Sequence, residues 1–151
     1  ENNYDYDSSV VPAKTSLYGI PNAEEKPYKI SSKNLEVNSD DGKIIEFPLL
    51  VTKFLGKKIP AAGGFYLRTL PLRVIENALK YYEKDGMPGV FYIHSWELTP
   101  EFMPKMKLSK KDHFVTFHNI SKAYNKMENL LKKFEFTSFS SFIQENKENL
   151  Y

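Results

Sequence analysis

Gly89-Val90-Phe91-Tyr92-Ile93-His94-Ser95-Trp96-Glu97 is the stretch on which the reading of this chain turns. It begins as a short apolar run rich in β-branched and aromatic residues, the composition of a buried strand. It ends with an imidazole, a hydroxyl, an indole and a carboxylate on consecutive positions from His94 to Glu97. In α/β proteins, ligand-handling residues sit at the carboxyl ends of buried strands. A histidine can donate or accept a proton there, because a free imidazole titrates near neutrality. The plainer alternative is that His94 caps the strand and bonds a neighbouring loop. The stretch alone leaves both open.

Immediately upstream, the spacing predicts a helix over about 71–84. Thr69 offers an N-cap and Pro71 suits a first turn. Leu72, Ile75, Leu79 and Tyr82 share one face, with a Glu76–Lys80 pair outside and Gly86 as the stop. A helix feeding through the short loop Asp85-Gly86-Met87-Pro88 into an apolar strand is one half of an α/β repeat. Before it, Gly63-Gly64-Phe65-Tyr66 sets paired glycines beside aromatics, as where a backbone turns sharply or lets a group come close. The Gly-Lys-Ser/Thr ending of a phosphate loop is absent.

Further toward the N-terminus, Tyr4-Asp5-Tyr6-Asp7 reads as a short strand ending at Asp7 or Ser8. Residues 13–33 form an irregular connection. Leu35-Glu36-Val37 and Lys43-Ile44-Ile45-Glu46-Phe47-Pro48 read as a hairpin around the turn Asn38–Gly42. Residues 49–55 continue extended and apolar to Gly56. Downstream, Lys105–Lys111 is a basic, solvated run, and a second amphipathic helix spans about 120–133. Phe134-Glu135-Phe136 reads as a last strand, with Phe139 and Phe142 anchoring a terminal turn and 145–151 fraying.

At 151 residues the length fits one domain. Ten Tyr, 11 Phe and one Trp can fill a core and still leave rings for a groove. A net charge of +2 gives no argument for nucleic acid, and the absence of cysteine excludes disulfides and thiolate metal sites. No apolar run reaches the length of a membrane span. Glu1-Asn2-Asn3-Tyr4 opens without methionine or a signal-like segment, a start that fits processing, trimming or a piece of something longer. The three histidines, His94, His113 and His118, contain no i,i+4 pair for a metal. His113 and His118 read as structural or solvated loop residues. Asp5 and Asp7 share a strand face, where carboxylates can bind a metal, run acid–base chemistry or, more often, cap amides. No glycine-flanked serine elbow appears.

Five stretches in order resemble the C-terminal half of a NodB-like polysaccharide deacetylase of carbohydrate esterase family four. They are Tyr4–Ser9 through Pro12, Ile45–Pro48, Gly63–Pro71, Tyr92–Glu97 and Leu130–Phe136, covering residue 4 to about 137. The nearest branch is the exosortase-associated deacetylases of bacterial exopolysaccharide systems. The resemblance implies an α/β fold in which residues 1–100 are the C-terminal portion of a distorted (β/α) barrel, with a hairpin insertion at about 30–55. Residues 101–151 would be a family-specific α+β extension. It implies hydrolysis of N-acetyl groups on a polysaccharide or oligosaccharide, with a divalent metal, commonly zinc, an aspartate base, and a late-strand histidine protonating the leaving amine. By position His94 matches that histidine. Tyr92, Trp96, Glu97, Arg68, Tyr66 and Asp7 match substrate-side positions, although Ser95 stands where proline is usual.

The departures matter as much. The metal-binding and base motifs of the family belong nearer its N-terminus, and this chain has neither an Asp-Asp strand end nor a His-x-x-x-His helix. The expectation is therefore a chain that holds no metal, is inactive alone, and needs the N-terminal half as partner or self-associates. Its location is open between bacterial cytoplasm and cell envelope. The alternative is a non-catalytic saccharide-binding or scaffold module that stacks sugars on Tyr66, Tyr92 and Trp96.

Overall fold

A computed structural model describes residues 4–16, 18–103 and 106–147. Strand β3 (Ile44–Glu46) is central to a three-stranded sheet, with β1 (Tyr6–Asp7) parallel on one side and β2 (Tyr28–Ile30) antiparallel on the other. Tyr6 lies opposite Ile45, and Tyr28 opposite Glu46. Parallel pairing continues beyond the ladder: the Phe47 and Leu49 amides donate to the Asp7 and Val10 carbonyls (2.8 and 2.9 Å). A second sheet is the hairpin of β4 (Val51–Phe54) and β5 (Lys57–Pro60). Its two turn residues, Leu55 (φ 49°) and Gly56 (φ 75°), are both left-handed, as a mirror-image two-residue turn requires.

Helices follow: α1 (Gly64–Thr69), α2 (Leu72–Lys84), α3 (Ser95–Leu98), α4 (Lys110–Phe117), α5 (Ala123–Lys133) and α6 (Phe139–Glu145). Ile75, Ala78, Leu79 and Tyr82 turn the inner face of α2 onto Leu50, Val51, Ala61 and Leu67. The Met87 amide returns to the Tyr82 carbonyl (2.8 Å) just past Gly86, closing the helix where its glycine predicts. The Tyr82 hydroxyl lies 3.2 Å from the Glu25 carboxylate and 3.4 Å from the Val51 amide, and burial pushes its phenol up. A second apolar cluster forms where Phe139 of α6 stacks on Phe47 at 4.6 Å beside Ile45 and Val90.

The fold is mixed α/β, with two small sheets and no closed barrel among the described residues. Several local expectations change. The stretch from Gly89 is extended but makes only single parallel bridges, Val90 with Leu49 and Tyr92 with Gly63, because it switches neighbours midway. Of residues 89–94 only Val90 is buried; Tyr92 and His94 are exposed. Leu35–Val37 is not a strand; Tyr28–Ile30 pairs in its place, because the Tyr28 ring is buried and its hydroxyl donates to the Leu35 carbonyl. Residues 57–60 return as β5, which the basic pair Lys57-Lys58 disguises. Thr69 closes α1, its hydroxyl donating to the Phe65 carbonyl, and Pro71 itself caps α2. Glu76 pairs with Lys133 of α5 (2.9 Å) instead of Lys80. Phe134 ends α5, and residues 134–136 form no strand. The second helix does appear, as α5 after a short turn at 120–122. Part of the basic run and the end of the frayed terminus lie outside the described residues. No described helix is long and apolar enough to cross a membrane.

Glu46 is fully buried; Oε1 accepts the Ser9 and Val10 amides (3.0 and 2.8 Å), and Oε2 has no hydrogen-bond partner among the described residues. Burial raises its carboxyl above the usual glutamate range; the two amides oppose this and the Asp7 charge adds to it. The folded chain thus keeps this proton to higher pH than the unfolded chain. The stability it contributes is full below the ordinary glutamate pKa of about 4.3 and falls as pH rises through the raised folded value. Glu46→Gln is expected to flatten that fall, read by urea unfolding across the acidic range; an unchanged pH dependence would show that Glu46 is not its source. At the hairpin, Leu55→Asn is expected to stabilise by up to about 1 kcal/mol, since asparagine tolerates the left-handed region better. A lower melting temperature would contradict this.

Candidate functional site

A cavity of about 520 Å³ opens between the end of β1, the start of α1, the 90–94 segment and the last turn of α4. Tyr66, Arg68, Tyr92, His94, Trp96 and Glu97 all line it. Of the site residues that the resemblance named, only Asp7 does not; its neighbours Ser8 and Ser9 do. Asp7 is exposed, its backbone carbonyl accepts the Phe47 amide, and its charge bears on Glu46.

An extended backbone presents alternate residues on one side, so Tyr92 and His94 reach the cavity together. The chain then turns into α3, which carries Trp96 back over the imidazole. The Trp96 and His94 rings stack at 5.7 Å and 25°, while Tyr92 meets the imidazole edge-on at 5.0 Å. The Tyr92 hydroxyl lies 3.3 Å from His94 Nε2. Nδ1 lies 3.3 Å from Glu97 Oε2, which also accepts the His94 amide at 3.1 Å. For the neutral ring these contacts assign the proton to Nδ1 and the lone pair to Nε2, the atom beside Tyr92.

Glu97 is buried, and so is its other partner, Arg68. Arg68 Nη2 donates to Glu97 Oε1 (3.1 Å) and to the Val115 carbonyl (3.1 Å). Nη1 donates to the Thr116 and His118 carbonyls (2.8 and 2.9 Å), and Nε to the Gly64 carbonyl (3.0 Å). These bonds match all five guanidinium donors, so Arg68 has none to spare for a ligand. Burial pulls its basicity down, and the Glu97 carboxylate opposes that. Gly64 permits the arrangement: a Cβ there would fall inside the Glu97 carboxylate. The close approach expected of the paired glycines is thus made by this chain's own side chain.

The other histidines lie elsewhere. His113 is on α4 against Phe117 (4.8 Å), and His118 ends that helix stacked on Phe114 (4.5 Å). The loop reading there missed α4, although Ser109 and Asp112 spell its start: the Ser109 hydroxyl accepts the Asp112 amide at 3.1 Å. The reading therefore also missed Val115 and Thr116, which form one cavity wall. Among the described residues no three His, Cys, Asp or Glu side chains gather to hold a metal ion. Glu97 is the carboxylate that faces His94, and Arg68 already engages it. The residues present do not fit a metal.

Removing one partner of a buried pair leaves the other charge uncompensated. Glu97→Ala is expected to lower unfolding stability by about 3–5 kcal/mol, measured by denaturant titration. A loss below about 1 kcal/mol, the scale of an exposed pair, would show that the pair does not hold this site together.

No curated protein and no solved structure matches the chain. Residues 8–144 match a family described as Domain of unknown function (DUF3473), and the match takes in every residue of the cavity wall. By that match, the chain belongs to the DUF3473 family.

Proposed function

We propose that this chain is the acid-bearing C-terminal part of a metal-dependent polysaccharide deacetylase, acting on N-acetylated sugars of a bacterial exopolysaccharide. In this reading its α/β segments complete a distorted (β/α) barrel whose other strands, base aspartate and metal ligands lie outside this sequence. The divalent metal, zinc in the family it resembles, would polarise the acetyl carbonyl. No group here takes part in holding it.

The observation that carries the reading is the state of His94. Its Nδ1 is tied to a buried carboxylate while the ring is half-exposed on a cavity, with Nε2 beside the Tyr92 hydroxyl. A carboxylate at Nδ1 orients an imidazole so that Nε2 faces the cavity, whichever protons the ring carries. A ring so oriented and carrying both protons can release the Nε2 proton to an amine nitrogen as the amide C–N bond breaks. Water supplies the hydroxyl to the acetyl carbon, and the products are acetate and a free amino sugar. Tyr66, Tyr92 and Trp96 would take the apolar faces of the sugar rings.

The aromatic wall also favours the second reading, a saccharide-binding module without catalysis. Full-length protein carrying this chain separates the two. Acetate release from an acetylated chito-oligosaccharide is expected to fall about 10²- to 10⁴-fold in His94→Ala, the usual range for a general acid, with saccharide affinity little changed. Undiminished release would remove His94 from the mechanism. Saccharide binding by a wild type that releases no acetate would favour the binding module.

A further inference from the structure

We propose that Arg68 is a positioning residue that makes the orientation of His94 depend on the seating of helix α4. This goes beyond the deacetylase reading and holds for any reaction at this cavity.

Helix α4 buries none of its own residues. What fastens its C-terminal end is the guanidinium of Arg68, which takes the Val115, Thr116 and His118 carbonyls. The last carbonyls of any helix lack intrahelical partners, and a cation that satisfies them also suits the negative end of the helix dipole. The same Nη2 that holds Val115 also holds Glu97, whose second oxygen holds His94. From α4 to the imidazole there is thus one unbroken chain of polar contacts through two buried side chains.

A guanidinium is a rigid planar fork, so its donors cannot be satisfied independently. If α4 leaves its seat, three of the five donors of Arg68, whose side chain is 2% exposed with the helix in place, lose their acceptors. Donors without acceptors are costly, and the fork turns toward the water and other partners that the departed helix leaves. That rotation withdraws it from Glu97 and frees the carboxylate to leave Nδ1. Seating α4 therefore does two things together: it builds the wall at Val115 and Thr116, and it sets the ring of His94.

The test needs no substrate, so it can fail while the deacetylase reading stands, and the reverse. Imidazole ¹⁵N shifts of His94 are measured in the neutral ring, alongside hydrogen exchange of the α4 amides, in wild type, Arg68→Lys and Val115→Pro. The proline breaks the last turn of a helix that contributes nothing to the core, so the rest of the fold is expected to persist. Wild type is expected to show a protonated Nδ1 and a bare Nε2. Both variants are expected to lose that signature and, together with it, the exchange protection of α4. Free exchange of α4 with an unchanged His94 signature would overturn the proposal. So would wild-type behaviour of both readouts in Arg68→Lys, or a proline variant in which His94 changes while α4 stays protected.

Discussion

The buried contact between Arg68 and Glu97 is the constraint around which the functional half of this molecule is arranged. Taking two charges out of water is unfavourable, and a single ion pair in the interior seldom repays it. Here the cost is spread over a network. Arg68 meets four backbone carbonyls as well as the carboxylate, and Glu97 meets a backbone amide and an imidazole as well as the guanidinium. Lysine could not serve, since one ammonium on a flexible stem cannot reach acceptors set around a plane. Gly64 is bound by the same requirement, because the carboxylate fills the space of its missing side chain. Gly64 and Arg68 on one helix and Glu97, 29 residues beyond Arg68, are thus fixed by one geometry.

A second cation repeats the device at the other side of α1. Lys126 of α5 donates to the Leu67, Arg68 and Leu70 carbonyls at 2.7–3.1 Å, and burial pulls its ammonium down. The helix carrying Arg68 is therefore itself held at its C-terminal end. The later helices attach by two different means. Helices α5 and α6 insert apolar side chains, Leu130 into the main core and Phe139 and Phe142 against Phe47. Helix α4 relies on polar capping, with only Phe114 lying edge-on to Phe65 (6.3 Å). Apolar burial tolerates small shifts, whereas directional hydrogen bonds do not. The element nearest the cavity is the one held by the directional contacts.

Much of this was legible in the sequence where local chemistry decides the outcome. The apolar face of α2, its stop at Gly86 and the close approach at Gly64 follow from residue type and spacing alone. So does the pairing of Tyr92 with His94 on one side, since extended backbone alternates its faces, whereas Trp96 reaches them only through the turn into α3. What could not be read is which distant segment completes a polar side chain. Arg68 and Glu97 are ordinary as letters, and nothing in their spacing tells that they pair in the interior or that the carbonyls of α4 take up the guanidinium. Strand pairing failed for the same reason. Whether Leu35–Val37 or Tyr28–Ile30 sits beside β3 depends on the burial of one tyrosine ring, which no local period encodes.

A half-exposed histidine would ordinarily sample several rotamers, and proton transfer at a defined atom demands the opposite. Three features remove that freedom here. Trp96 covers a face of the ring and Tyr92 blocks an edge. Glu97 then decides between the two ring orientations that stacking alone would leave equal, because only one places Nδ1 at the carboxylate. Aromatic contact restrains the plane, and the carboxylate restrains the flip. Neither suffices alone, and Trp96 and Glu97 both come from α3, the short helix that begins one residue after His94. The turn into that helix at Ser95 is therefore what makes a strand-end histidine into an oriented one. A strand continuing through Glu97 would alternate Trp96 and Glu97 to opposite faces and separate the two restraints.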